Sequence, residues 1–188
     1  MRRFFLALAL LVALSPAARA QCAATHVPVR VYLMYGLVSA VMSSGMGDLV
    51  SKLNRIKGVT ASVHEWGEWS ALASKAADTK AAIVFGGHSI GANVAVSAAR
   101  QLNGKRKVAL LLGFDPTRLS TLEPVPSNVV RAIGFRQDTN PFGGNMLVGS
   151  AKTTSVSNIF RDMNHIAIDK SDEIHAIAIR AVCSISSI

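Results

Sequence analysis

From Val27 onward the chain changes rhythm at short intervals. VPVRVYLMYG is apolar, rich in β-branched residues and closed by Gly36, which predicts a short buried strand. After the loop GLVSAVMSSG, the segment MGDLVSKLNRI repeats apolar residues at helical spacing through Met46, Leu49, Val50, Leu53 and Ile56. VTASVHEW from Val59 predicts a second strand and WSALASKAAD from Trp69 a second helix. AAIVFG, GANVAVSAARQL and KVALLLGFD then read as strand, helix, strand. Strands alternating with helices at this spacing make parallel crossover units. The predicted fold class is therefore α/β, a mostly parallel sheet flanked by helices on both faces.

Beyond Asp115 the rhythm weakens. PTRLSTLEPVPSN reads as a loop and VVRAIGF as a strand, while NPFGGNMLVGSAKTTSVSN is long, polar and glycine-bearing, with room for one further strand. IDKSDEIHAIAIRAVCSI predicts a closing helix through Ile174, Ile177, Ile179, Ala181 and Val182, capped by Ser171 or Asp172.

The first twenty residues, MRRFFLALALLVALSPAARA, follow a different logic. Two arginines, an apolar stretch from Phe4 to Leu14 and Ala18-Arg19-Ala20 form the layout of a secretory signal peptide, with cleavage expected before Gln21. The apolar stretch is shorter than the ~20 residues needed to span a bilayer, so no membrane anchor is expected in the mature chain. Residues 21–188 then form one domain with a single core. Loss of Arg2, Arg3 and Arg19 lowers the formal charge of +9 by three. The remaining Lys and Arg are scattered, without the interleaved aromatics of a nucleic-acid module, so no nucleic-acid partner is expected. An ordinary solvated surface accounts for them; weak association with an anionic envelope surface is the other reading. Cys22 and Cys183 stand near the two ends of the mature chain. Export would let them form a bridge, and two free thiols are the alternative.

The chemistry concentrates in AAIVFGGHSIGAN, where an apolar strand meets an alanine-rich helix. A glycine turn in that place suggests a phosphate cradle. Counting from Gly86 to Gly91, however, the lysine of GxxxxGK[ST] is replaced by Ala92, and a GxGxxG fingerprint fails at His88. The remaining pattern is GxSxG: Gly87, His88, Ser89, Ile90, Gly91. A serine on a sharp strand-to-helix turn projects its hydroxyl above the sheet, and small residues two positions to either side avoid clashes. The following helix offers free N–H groups to an oxyanion, Ile90 supplying one.

A serine hydroxyl needs a base, and the base needs an orienting acid. After Ser89 and its neighbour His88, only His165 and His175 remain; His175 falls inside the closing helix, whereas His165 lies in the loop before it, in RDMNHIAID. His165 is therefore the expected base. For the acid, Asp115 ends the strand after the serine helix, stopped by Pro116, and Asp138 follows one strand later; Asp115 is preferred, Asp138 stays open, and Asp162 is third. The second oxyanion donor is expected in MYGLVSAVM, where Gly36 permits close approach and Leu37 presents its N–H. Leu37, Val38, Val41 and Met42 are either an acyl-binding wall or core. Two cysteines so far apart give no metal spacing, and His26, His64 and His88 lack metal partners; His88 is read as holding the turn through hydrogen bonds.

GGHSIGAN, GFDPT and NHIAID, in this order and spacing, resemble small exported bacterial α/β-hydrolase-fold proteins, the lipase, esterase and thioesterase group. The resemblance implies Ser89 as nucleophile, Asp115 as acid and His165 as base, acting on a small-molecule or lipid ester or a thioester without a cofactor. The short 116–128 segment departs from relatives that insert a helical cap there, so a minimal fold without a large cap is expected. A catalytically inactive binding protein of the cell envelope is the alternative function.

Overall fold

A computed structural model describes residues 22–139, 141–150, 152 and 154–186. The expected leader, 1–20, and its cleavage point lie outside the described residues. Six strands, β1 (Ala24–Met34), β2 (Lys57–His64), β3 (Ala82–His88), β4 (Val108–Phe114), β5 (Val129–Arg136) and β6 (Ser155–Phe160), form one sheet in the order β2-β1-β3-β4-β5-β6. Every neighbouring pair is parallel. The helices are α1 (Ser39–Met42), α2 (Ser44–Leu53), α3 (Trp69–Ala77), α4 (Ile90–Gln101), α5 (His165–Ile168) and α6 (Asp172–Cys183).

Alternation along the strands sends successive side chains to opposite layers. Val29, Val31 and Leu33 of β1 pack with Met46, Leu49 and Leu53 of α2 and with Ile174, Ala178 and Val182 of α6. Tyr32 and Met34 of the same strand face Leu72 and Ala76 of α3 and Ala95, Val96 and Ala99 of α4. Central β4, VALLLGF, is buried throughout, which explains why it shows no polar alternation. Ser171 caps α6, its hydroxyl accepting from the Ile174 N–H at 3.4 Å.

The expected α/β architecture is the one observed, with three refinements. β1 begins at Ala24, ahead of Val27, and the loop after it contains α1. β6 emerges from the segment read as long and polar: it is an edge strand of largely exposed residues, so Ser155, Ser157 and Asn158 carry no apolar signal. The crossovers β4–β5 and β5–β6 contain no helix among the described residues. Val125 and Leu147 from those loops cover the sheet face instead, and Asn158 fastens Leu147 by accepting its N–H and donating to its carbonyl, both at 2.9 Å. With 115–128 lacking any helix, no large cap stands over the carboxyl edge of the sheet.

Cys22 and Cys183 are joined in a disulfide with Cα atoms 6.1 Å apart, resolving the alternative left open by the sequence. The bond clasps the start of β1 to the end of α6. Among the described residues no helix is long and apolar enough to cross a membrane. β1 lies between β2 and β3, so the loops after β1 and β3 leave the sheet side by side where the strand order reverses. Such a reversal is the usual place of a ligand crevice in an open α/β sheet.

Candidate active site

Ser89 occupies the single residue between β3 and α4, with φ 56° and ψ −122°. Such a backbone costs about 1–3 kcal/mol for a non-glycine residue and persists only where its surroundings impose it. They do so here. The Ser89 N–H donates to the Phe114 carbonyl at 2.9 Å. A Cβ on Gly87 would stand 2.5 Å from the Gly91 carbonyl carbon, and one on Gly91 would stand 2.4 Å from the Met34 oxygen. Both glycines are therefore required by close backbone approach, as the sequence pattern predicts. Ile90 is the first residue of α4, and its N–H is among those that no intrahelical acceptor can reach.

The loop after β1 presses against this turn. A Cβ on Gly36 would be 3.2 Å from Ser89 Cβ and 2.9 Å from Ser43 Oγ. Leu37, Val38 and Met42 share with Ser89, His165, Leu119 and Phe142 the wall of a cavity of about 220 Å³. Leu37 is 62% and Val41 80% exposed, so this stretch is not core. Of the two readings open for these residues, core packing is excluded for Leu37, Val38 and Val41. Hollows of about 420 Å³, beside Lys80, Lys105 and Arg106, and about 320 Å³ lie at the amino-terminal ends of the strands, away from the glycine turn, and one of about 360 Å³ is lined by Asn164, Ile166, Ala167 and Lys170.

Asp115 directly follows β4 in a left-handed conformation, φ 48°, with its side chain wholly buried. Four donors converge on it. Oδ1 accepts from the Gly144 N–H at 2.7 Å and the Gln137 N–H at 3.3 Å; Oδ2 accepts from Gln137 Nε2 at 2.9 Å and His165 Nδ1 at 2.6 Å. His165 opens α5, whose N-cap Asn164 accepts from the Ala167 N–H. With Nδ1–H committed to Asp115, the neutral imidazole keeps Nε2 as its proton acceptor. The structure thus brings Asp115 and His165 together, and places Ser89, Leu37 and His165 around one cavity. Asp138 and Asp162 are exposed and outside this cluster. His175 is buried elsewhere, its Nε2–H donating to the Asp169 carbonyl and its Nδ1 accepting from Lys52 Nζ. Among the described residues no group of three His, Cys, Asp or Glu is placed to hold a metal ion.

Four participants escaped the sequence. Gln137 gives Asp115 two of its donors. Gly143 must lack a side chain, since a Cβ there would lie 2.0 Å from Asp115 Oδ2; Gly144, at φ +90°, turns its N–H onto Oδ1. The Gly-Gly pair in NPFGGN was a visible signal of close approach. Gln137 and Ser43 had none. His88 does hold the turn through hydrogen bonds: Nδ1 lies 2.8 Å from Ser43 Oγ and Nε2 2.9 Å from the His165 carbonyl. Burial, reinforced by the charge of nearby His165, pushes His88 down to about 4.

No protein-family model matches the chain, and no curated protein sequence does. Solved structures do. The alpha/beta hydrolase domain-containing protein 10 from mouse superposes with a TM-score of 0.54 at 11% identity, over 81% of this chain and 87% of that one. A putative hydrolase of the alpha/beta superfamily from Xanthomonas campestris pv. campestris matches at 0.50 and 14% identity, covering 84% and 96%. The thioesterase domain SrfTE, which cyclizes the lipopeptide antibiotic surfactin, matches at 0.50 and 11% identity, covering 84% and 93%. The likeness is one of fold. This chain has a minimal α/β-hydrolase-like fold.

Proposed function

We propose that this protein is a serine hydrolase that cleaves a carboxylic ester or thioester through an acyl-enzyme intermediate. The observation that supports this most is the 2.6 Å Nδ1–Oδ2 contact between His165 and buried Asp115, in a histidine that shares a cavity with the strained Ser89. In this reading His165 Nε2 takes the Ser89 hydroxyl proton as Oγ attacks the carbonyl carbon. The carbonyl π electrons move to oxygen, where the N–H groups of Ile90 and Leu37 stabilise the charge. His165 passes its proton to the leaving alcohol or thiol, leaving the acyl group on Ser89. Water then repeats the sequence and releases the acid. Asp115 keeps the imidazole in the Nδ1–H tautomer and stabilises the imidazolium.

The apolar walls of Leu37, Val38, Met42, Leu119 and Phe142 favour an acyl group over a charged substituent, and the modest cavity favours a short one. The leader-like residues 1–20 support an exported enzyme, periplasmic or secreted. A fluorophosphonate probe is expected to label the mature protein at Ser89 and to leave Ser89→Ala unlabelled. A folded protein that takes up no probe would instead be the binding protein that keeps the fold without the reaction.

A further inference from the structure

Ser43 sits at the N-cap position of α2, yet its hydroxyl makes no cap. It is turned the other way, where it accepts the Gly36 N–H at 3.0 Å and meets His88 Nδ1 at 2.8 Å. The direction of every hydrogen bond in this buried line follows by exclusion. The His165 carbonyl can only accept, so His88 Nε2 carries the proton. The bare Nδ1 of neutral His88 must then accept, so Ser43 Oγ–H donates. With its proton spent, Ser43 receives the Gly36 N–H on a lone pair. The two imidazole rings lie 4.6 Å apart, tilted at 37°, so His88 also supports the face of His165.

The ends of this line matter. Gly36 immediately precedes Leu37, the proposed second oxyanion donor, and the far end is the backbone of the proposed base. Exposed Leu37, Val38 and Val41 give the loop little packing of its own to hold a donor in place. A donor must be held within about half an ångström of its working position to stabilise a transition state.

Resting on the hydrolase reading, we infer that Ser43 and His88 are positioning residues: a buried relay, Gly36 N–H to Ser43 to His88 to the His165 carbonyl, locks the donor loop and the base into one rigid unit. Neither residue touches substrate chemistry. Their neutral hydrogen bonds carry geometry from one loop to the other, and the depressed basicity of His88 keeps the proton order described.

The test is steady-state hydrolysis of a short-chain p-nitrophenyl ester by the wild type, Ser43→Ala, His88→Gln and the double variant, with ¹⁵N NMR of the histidine rings at pH 7. The expected result is a kcat at least tenfold lower in each single variant with KM changed less than threefold, and a double variant no slower than the worse single one, because one broken link disables the line. Ser43→Thr, which keeps the hydroxyl, should recover most of kcat. In the wild type His88 should show the Nε2–H tautomer, and Ser43→Ala should mix the two tautomers. A kcat within twofold of wild type in Ser43→Ala, or multiplying losses in the double variant, overturns the relay and leaves the hydrolase intact. An Nδ1–H tautomer of His88 in the wild type also overturns it, whether or not any variant folds. A wild type with no turnover overturns both readings.

Discussion

Asp115 and Asp169 are both wholly buried, both close to the end of an element, and differ in what surrounds their oxygens. Asp115 collects donors from Gln137 just after β5, from Gly144 and from His165. Asp169, just after α5, faces the first turn of α2, where the Gly45 and Met46 N–H groups and nearby Lys170 draw its pKa down but neither oxygen gains a well-formed hydrogen bond. Burial outweighs that pull and pushes Asp169 up to about 7. Two carboxyls at equal depth thus differ in donor supply. That supply, more than burial, suits Asp115 to hold a histidine tautomer.

The largest expected effect tests the favoured side of this comparison. Asp115→Asn should lower kcat by about 10⁴-fold with the fold retained, since an amide at that position favours the wrong histidine tautomer; stopped assays alongside far-UV circular dichroism would read both. A loss under tenfold would move the acid elsewhere. Gly143→Ala attacks the same carboxylate without changing its chemistry. Its Cβ would stand 2.0 Å from Asp115 Oδ2 and 2.6 Å from His165 Nδ1, so the pair must separate, and a fall in kcat of about 100-fold is expected, consistent with ångström-scale misplacement.

The disfavoured side is tested by stability. Native Asp169 holds its proton to about pH 7, whereas the unfolded carboxyl loses it near 3.8. Between those values the native state binds more protons, so this group makes stability fall as pH rises, levelling off above 7. Asp169→Asn removes that slope: it should be more stable than wild type by roughly 2–4 kcal/mol at pH 8 and nearly equal near pH 4, measured by urea unfolding. His88, pushed down to about 4, acts in the opposite sense, since the unfolded ring gains a proton first; in the Asn variant stability should therefore decline as pH drops from 6.5 towards 4. The smallest effect belongs to the aspartate that rivals Asp115 in the sequence. Asp138→Asn should leave kcat within twofold, as its side chain is exposed whereas the carboxylate bonded to His165 is that of Asp115; a large loss there would invert the assignment.

How much of this was legible in the chain varies with the distance over which the information is spread. The Ser89 turn was legible because strand, glycines, serine and helix are consecutive, although the backbone that Gly91 must clear belongs to Met34 and Tyr35 at the end of β1. His165 was legible as the histidine ahead of the closing helix. The choice between Asp115 and Asp138 was only partly so, because it depends on where the 137–154 crossover runs. That crossover carries Gln137, Gly143 and Gly144 back to β4, and its path is set by Asn158 and Leu147 rather than by any periodicity. β6 stayed hidden for a related reason: an edge strand buries little, so it needs no apolar pattern.

By itself, then, the sequence determined the alternating elements, the parallel sheet, the glycine-flanked serine and the chain order of the candidate serine, aspartate and histidine, all properties of local pattern and chain order. Only the tertiary structure decided that Asp115 meets His165, that Cys22 meets Cys183, that Leu37 and Val41 face outward, and that Ser43 leaves its helix to join His88. Each of these rests on groups far apart in the chain brought within hydrogen-bonding or bonding distance, and on which of two buried carboxyls the surrounding backbone supplies with donors.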